Sequence, residues 1–464
     1  MTTSESQESP YPSSLKKNLK NRHLLMISLG GSIGTGLFIG IASPLSTVGP
    51  LGTIIAYLMA GSIMLSTMLC LGELSCAFPH AGSFQHYALM FIPNPIWSYT
   101  IGWLYWLSWV LSMAADLTAA SMIAHQTFPS IPIYLFSLLI LIVLTSVHLT
   151  SVRAFGESEY WFSTIKVLAI IAFIGVGIYL LNHQYAETHI LPTFKTEKGW
   201  FPNGFLAIFV CMTIVTYSFQ GVELIGNAAG EAESPQSVLP KIITGVAFRI
   251  ILFYVLAIAV LALVYPYGTE HTEISPFVWV FNQAGITFAS YIMLFVIFCA
   301  AISAANSAIY ASSRMLWSMA QDNLAPKYFS KVNRRGVPTK GILFIAIIAL
   351  VSLFSKYIAA EKLYIYLVAG TGQVGCFAWI IIAWCQYRFR KGVNSGKYSK
   401  EMIKFKSPLF PWLAVISIII NSVIIVGVWF GDSGQFILLS EVILIIVILI
   451  SYLFYKKHNI IKND

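Results

Sequence analysis

Along most of the chain the apolar residues neither alternate like a half-buried strand nor form the narrow stripe of a water-facing helix. Stretches such as "LLMISLGGSIGTGLFIGIASPL" and "VILIIVILISYLF" are apolar on every face. Helices of this kind face other helices or lipid, and roughly 20 such residues cross a bilayer. By that measure about twelve spanning helices are predicted, at 23–47, 51–77, 96–125, 132–151, 158–181, 204–229, 240–265, 284–320, 341–357, 363–387, 409–430 and 436–455. The expected fold is an all-α integral membrane protein, with no intervening segment long enough for a soluble domain.

Two of these helices are interrupted. The first carries "GSIGTG" at 31–36 and the sixth "SFQGVELIG" at 218–226. A glycine inside a helix costs about 1 kcal/mol relative to alanine. One glycine can serve close packing, as GxxxG spacing often does. Three glycines around Ser32 and Thr35, with the feature repeated in the sixth helix, favour unwinding. Interrupted helices at matching places in two halves point to inverted repeats with a binding site at the bilayer midplane. The chain then divides into a cytoplasmic tail (1–21), a first five-helix repeat (22–182), an inverted second repeat (201–390), two appended helices (408–456) and a cytoplasmic tail (457–464).

Unwinding near Thr35 frees N–H groups at the start of the second half-helix, whose positive dipole end suits a carboxylate. The Thr35 hydroxyl adds a donor, and carbonyls freed near Ser32 accept from an ammonium. In the sixth helix Gly221 permits the break, Gln220 offers a carbonyl to the ammonium, and Phe219 or Tyr217 closes over the ligand. Glu223 is the sharpest residue, since a mid-membrane carboxylate costs roughly 2.5–3.5 kcal/mol. It either ties the broken ends together or handles substrate or protons.

Composition narrows the classes. The chain is 57% hydrophobic and only 10% charged, too little charge for a water-facing surface. The net charge of +9 belongs to loops beside the spans, so no nucleic-acid partner is implied. With both termini cytoplasmic, 21 Lys and Arg fall inside and 4 outside, leaving Lys166, Arg249 and Arg314 within spans. The polar start followed by Lys16, Lys17, Lys20 and Arg22 predicts no cleavable leader. Six scattered cysteines read as reduced packing residues, with no disulfide, metal site or CxxC pair. No GxxxxGK[ST] occurs, which excludes ATP-driven pumping by this chain. No nucleophile–base pair or metal-ligand cluster supports an enzyme.

Other intramembrane polar residues carry paired readings. Lys166, eight residues into its helix, either cycles between charged and neutral as a coupling group or snorkels to the surface. Asp116 lines a cavity or buttresses a neighbouring helix. Glu231 caps the sixth helix or joins a proton path. Glu73 and Arg314 are expected in an internal charge pair or cytoplasmic gate, and Glu441 is read as structural. From the aromatic cluster 103–109, Tyr105 and Trp106 wall the cavity or simply pack.

The stretches "KNRHLLMISLGGSIGTGLFIG", "LGELSCAFPHAGSF", "SVRAFGESEYWFSTIKV", "YSFQGVELIGNAAGEAESP" and "SAANSAIYASSRMLWSMAQDNLAP" together resemble the amino acid transporter family of the amino acid–polyamine–organocation superfamily. The likeness runs from about residue 15 to about 410, and its wording is nearest the bacterial permeases for lysine and other basic amino acids. The resemblance implies a 5+5 inverted-repeat (LeuT-like) fold with broken helices 1 and 6. It also implies amino acid uptake with protons, the proton gradient driving transport without a cofactor. Its first-helix motif falls on Ser32, Gly34, Thr35 and Gly36, where relatives bind the substrate's carboxylate and ammonium. Its sixth-helix motif falls on Tyr217, Phe219, Gln220, Gly221 and Glu223, with Tyr217 at the gating aromatic. Lys166 falls on the fifth-helix lysine that relatives use in place of a sodium ion.

The expected function is therefore an amino acid permease of the cell membrane working by proton symport. Its partners are a free amino acid, protons and the bilayer, with no obligate protein partner. Basic substrates are favoured because Glu223, Asp116 and Glu231 supply negative charge. Alternatives are a neutral amino acid permease, an exchanger and a transporter-like sensor. One charge crossing 100 mV yields about 2.3 kcal/mol, so a cationic substrate needs no proton to be driven inward.

Overall fold

The computed structural model of the protein describes residues 15–183, 202–233, 235–265, 275–357, 360–430 and 434–461. Residues 1–14 of the expected N-terminal tail, 462–464 of the C-terminal tail, and Lys195 and Lys198 of an expected outer loop lie outside the described residues. Every regular element among the described residues is helical, apart from an isolated parallel bridge between Leu19 and Ala232.

The chain opens with α1 (Asn21–Ser32), the single turn α2 (Thr35–Phe38) and the long α3 (Ala42–Ala77). The helices α4 (Ser83–Phe91), α5 (Pro95–Thr127), α6 (Ile133–His148) and α7 (Val152–His183) follow. A second series comprises α8 (Leu206–Tyr217), α9 (Leu224–Ala228), α10 (Pro235–Val264), α11 (Pro276–Gln283), α12 (Thr287–Gln321), α13 (Thr339–Ala349) and α14 (Ala360–Asn394). The last helices are α15 (Trp412–Gly427) and α16 (Gly434–Ile461).

Among the described residues seven helices are long and apolar enough to cross a bilayer: α3, α5, α7, α10, α12, α15 and α16. α6, α8 and α13 are shorter apolar helices. The protein is thus an all-helical, multi-pass membrane protein. Local signals set several boundaries. Asn94 accepts a hydrogen bond from the Ile96 N–H at 3.1 Å and Pro95 follows, which starts α5. The expected first and second spans meet inside α3 at a bend. There Gly49 takes φ 73° and ψ 179°, a region open only to glycine, just before Pro50.

α5 lies at the centre, buried on nearly every face and packed against α12 and α14. α3 packs on α10 and α8, and α1 on α7. α16 is peripheral and turns Leu439, Ile443, Val447 and Phe454 outward. In a bilayer that exposure is favourable, because lipid tails are as apolar as leucine.

Candidate functional site

Both interruptions are present, and both are narrower than the polar stretches. Helical geometry in the first persists through Ser32 and resumes at Thr35, leaving only Ile33 (φ −79°, ψ 87°) and the extended Gly34 outside it. The second break spans 218–223, between α8 and α9, with Gly221 at φ 98°. The two breaks touch backbone to backbone. A Cβ on Gly221 would lie 2.1 Å from the Gly31 carbonyl oxygen, and one on Gly31 2.9 Å from that of Gly221. The Tyr254 hydroxyl, from α10, shares its proton between the Ser32 and Ser218 carbonyls, at 2.7 and 2.8 Å. One phenol therefore satisfies a carbonyl that each break frees.

Asp116 lies beside the first break. Thr35 donates to its Oδ1 at 2.6 Å, and Ser112 and Tyr217 pair beside it at 3.2 Å. All four are buried. Thr35 has thus already given its proton to a carboxylate, and it presents its oxygen rather than a donor. Gly34 is extended with only Ala304 near, whereas Gly36 lies close against the backbone of Ser218.

Glu223 closes the second break, immediately before α9. Tyr105 donates to its Oε1 at 2.8 Å, while Oε2 is buried and has no hydrogen-bond partner among the described residues. Tyr105 and Asp116 stand eleven residues apart on α5, about 16 Å along the axis. The α5 positions that carry or contact the two carboxylates are thus about three turns apart. Trp106 turns elsewhere and stacks on Phe344 at 5.6 Å. Phe219 packs between Tyr57 and Tyr254 as part of the wall. The Gln220 amide donates to the Thr371 and Gly372 carbonyls of α14, at 2.9 and 3.2 Å.

Lys166 lies against the first break, donating to the Gly30 carbonyl and, at 2.8 Å, to Ser303. The composition-based reading missed its acid. Glu159 sits 3.7 Å away, fully buried, and accepts from Ser303 at 2.6 Å and Asn306 at 3.4 Å. Seven residues separate Glu159 from Lys166, two helical turns on one face, so the pairing was readable from spacing.

Two of the remaining buried acids are paired with arginine. Arg314 donates to Glu231 at 2.8 Å and lies over the Tyr310 ring, so Glu231 already has its counter-charge. Glu73 pairs instead with Arg390, and also accepts from Gln386 and Ser407. Both Glu441 oxygens are buried without a hydrogen-bond partner among the described residues.

The family model described as "Amino acid permease" matches residues 23–464. The chain is 41% identical to the amino-acid permease RocC of Bacillus subtilis, over 90% of each chain. It is 37% identical to the lysine-specific permease LysP of Escherichia coli, over 89% of this chain and 86% of the relative. It is also 37% identical to the gamma-aminobutyric acid permease of Bacillus subtilis, over 97% and 95%.

Proposed function

The chain belongs to the amino acid permease family, and on that premise we propose that it imports amino acids by proton symport across the cell membrane, with lysine, arginine and histidine favoured. The observation that carries this reading is the backbone contact of two broken helices, each with a buried carboxylate beside it. Main-chain groups at the breaks hold the amino acid's own ammonium and carboxylate. Glu223, with one oxygen free, faces the cationic side chain. A relative named for lysine, LysP, supports the preference.

In this reading the chain crosses the membrane twelve times. α1 with α2, and α8 with α9, each form one interrupted crossing, and both termini are cytoplasmic. Matched packing supports an inverted five-helix repeat: α1 lies on α7 as α8 lies on α14, and α5 on α14 as α12 on α7. Lys166 is the proton-linked group, because its ammonium holds a carbonyl of α1 two residues before that helix ends. Losing the proton weakens that bond and frees the break to move.

Radiolabelled lysine uptake into proteoliposomes tests the proposal, with the pH gradient and the membrane potential imposed separately and unlabelled amino acids as competitors. Uptake that requires the pH gradient, collapses in Lys166→Ala and is blocked best by arginine or histidine supports it. Competition by leucine or threonine without lysine transport overturns the substrate assignment. Uptake only into preloaded vesicles makes the protein an exchanger, and binding without flux makes it a sensor.

A further inference from the structure

We propose that Glu159 receives the proton that Lys166 sheds during inward release, with the Ser303 hydroxyl carrying it between them, and that Asn306 and His148 position Glu159 for this. The inference rests on the symport reading and adds the group that reading lacks, an acceptor for the lysine's proton.

The geometry forms a continuous chain. Lys166 Nζ donates to Ser303 Oγ at 2.8 Å, and the same hydroxyl donates onward to Glu159 Oε1 at 2.6 Å. Direct transfer is less favourable, because Nζ and Oε1 stand 3.7 Å apart. In the relayed step a Lys166 N–H bond breaks and a new O–H forms on Ser303. The hydroxyl's original O–H breaks in concert, and an O–H forms on Glu159. An ion pair becomes a neutral pair, so no net charge is created in the low-dielectric interior.

Asn306 keeps the carboxylate in line. His148 Nε2 lies 2.9 Å from the Asn306 side-chain oxygen and 3.0 Å from its main-chain oxygen, both acceptors, so Nε2 carries the hydrogen. That orients the amide so that its NH2 faces Glu159 Oε2 at 3.4 Å and Ser158 at 3.3 Å. Ser158 is half-buried near the start of α7, which is the cytoplasmic end in the proposed orientation, so the chain runs from the break toward that side.

The groups facing Glu159 are few. α7 itself supplies Lys166 and Ser163, and α12 supplies Ser303 and Asn306. α1 approaches with Gly30, beyond which His23 lies against Gly156. Asp116 and Cys299 act electrostatically on Lys166, and Arg314 on His148. Among the described residues Lys166 is the cation within ion-pair distance of Glu159.

Exchange of internal for external amino acid bypasses proton release, whereas accumulation driven by a pH gradient does not. The test compares Glu159→Gln with the unaltered protein in proteoliposomes, measuring lysine counterflow and gradient-driven accumulation side by side. Expected is near-normal counterflow with accumulation reduced about 10²-fold or more. Ser303→Ala should reproduce the split in milder form. Glu159→Asp should restore accumulation with a shifted dependence on internal pH. Accumulation retained in Glu159→Gln overturns the relay and leaves symport standing. Loss of both activities with a correctly folded protein assigns Glu159 a structural role and also overturns it. Unaltered protein that shows no gradient-driven uptake overturns the symport reading and the relay together.

Discussion

Replacing Gly221 with alanine tests whether the two broken helices meet through their backbones. The residue sits at φ 98°, where an L side chain costs about 1–2 kcal/mol. Its new Cβ would lie 2.1 Å from the Gly31 oxygen and 2.6 Å from the Gly31 carbonyl carbon. Those atoms are main chain, so no rotamer change relieves the clash. The breaks must separate by about 1 Å, at an overpacking cost of about 1–3 kcal/mol. The combined penalty of about 2–5 kcal/mol falls on the breaks proposed to hold the substrate. Purified Gly221→Ala should therefore show a lower apparent melting midpoint and lysine uptake reduced more than about tenfold, since 1.4 kcal/mol is one decade. Gly175→Ala on α7 is the control, because a Cβ there meets nothing within 4 Å. It should leave uptake intact and stabilise the helix by up to about 1 kcal/mol. Equal melting and equal uptake in the two variants would refute the contact.

Tyr105→Phe removes the hydrogen bond that Glu223 receives at 2.8 Å, which is worth about 1.5–3 kcal/mol for a charged acceptor. Because the phenylalanine strands a buried acceptor whose other oxygen already lacks a partner, the purified variant should show a lower apparent melting midpoint than the unaltered protein in a thermal unfolding assay. Arg390→Ala strands the buried Glu73 with only Gln386 and Ser407, at about 3–5 kcal/mol. The amount of monodisperse protein in size-exclusion chromatography should fall, and adding Glu73→Gln should recover part of it. His80 lies in the turn between α3 and α4, and burial there, followed by the charge of His86, pushes its imidazole down to about 4, against the opposing pull of Asp322. An opened turn takes up a proton near pH 6.5 that the closed turn refuses, so the closed turn loses stability as the pH falls from 6.5 toward 4. Hydrogen exchange over 78–82, corrected for intrinsic rates, should quicken at pH 5 relative to pH 7, and His80→Asn should remove the difference.

The interruptions were legible because a mid-helix glycine run has an energetic cost that packing alone does not explain twice. Their width was not, since Gly31 is helical and serves close approach, and only the facing backbone reveals this. Lys166 stood out as a lone charge, yet its acid escaped notice at the edge of the expected span, which began at 158. Ser303, Asn306 and His148 reach the cluster from α12 and α6, so no local period announces them. Asp116 and Glu223 read as one reservoir of negative charge because linear sequence carries no depth. The short helices α4 and α11 were missed because the bilayer criterion recognises only long apolar runs.

Depth changes what the two carboxylates can do. An extended lysine reaches about 6 Å from Cα to its ammonium. Asp116 and Tyr105, the partner of Glu223, are separated by about 16 Å along α5. The α5 positions behind the two acids are thus about three turns apart. Asp116 already accepts the Thr35 proton at the first break and lies beside the Ser112–Tyr217 pair, so a cation that binds there must compete with an existing donor. Glu223 retains an unpartnered buried oxygen, which a cation or a proton would satisfy at no cost in existing bonds. Of the two acids, Glu223 is thus the one with a bare oxygen to offer a cation, whereas Asp116 ties the first break to α5 through Thr35.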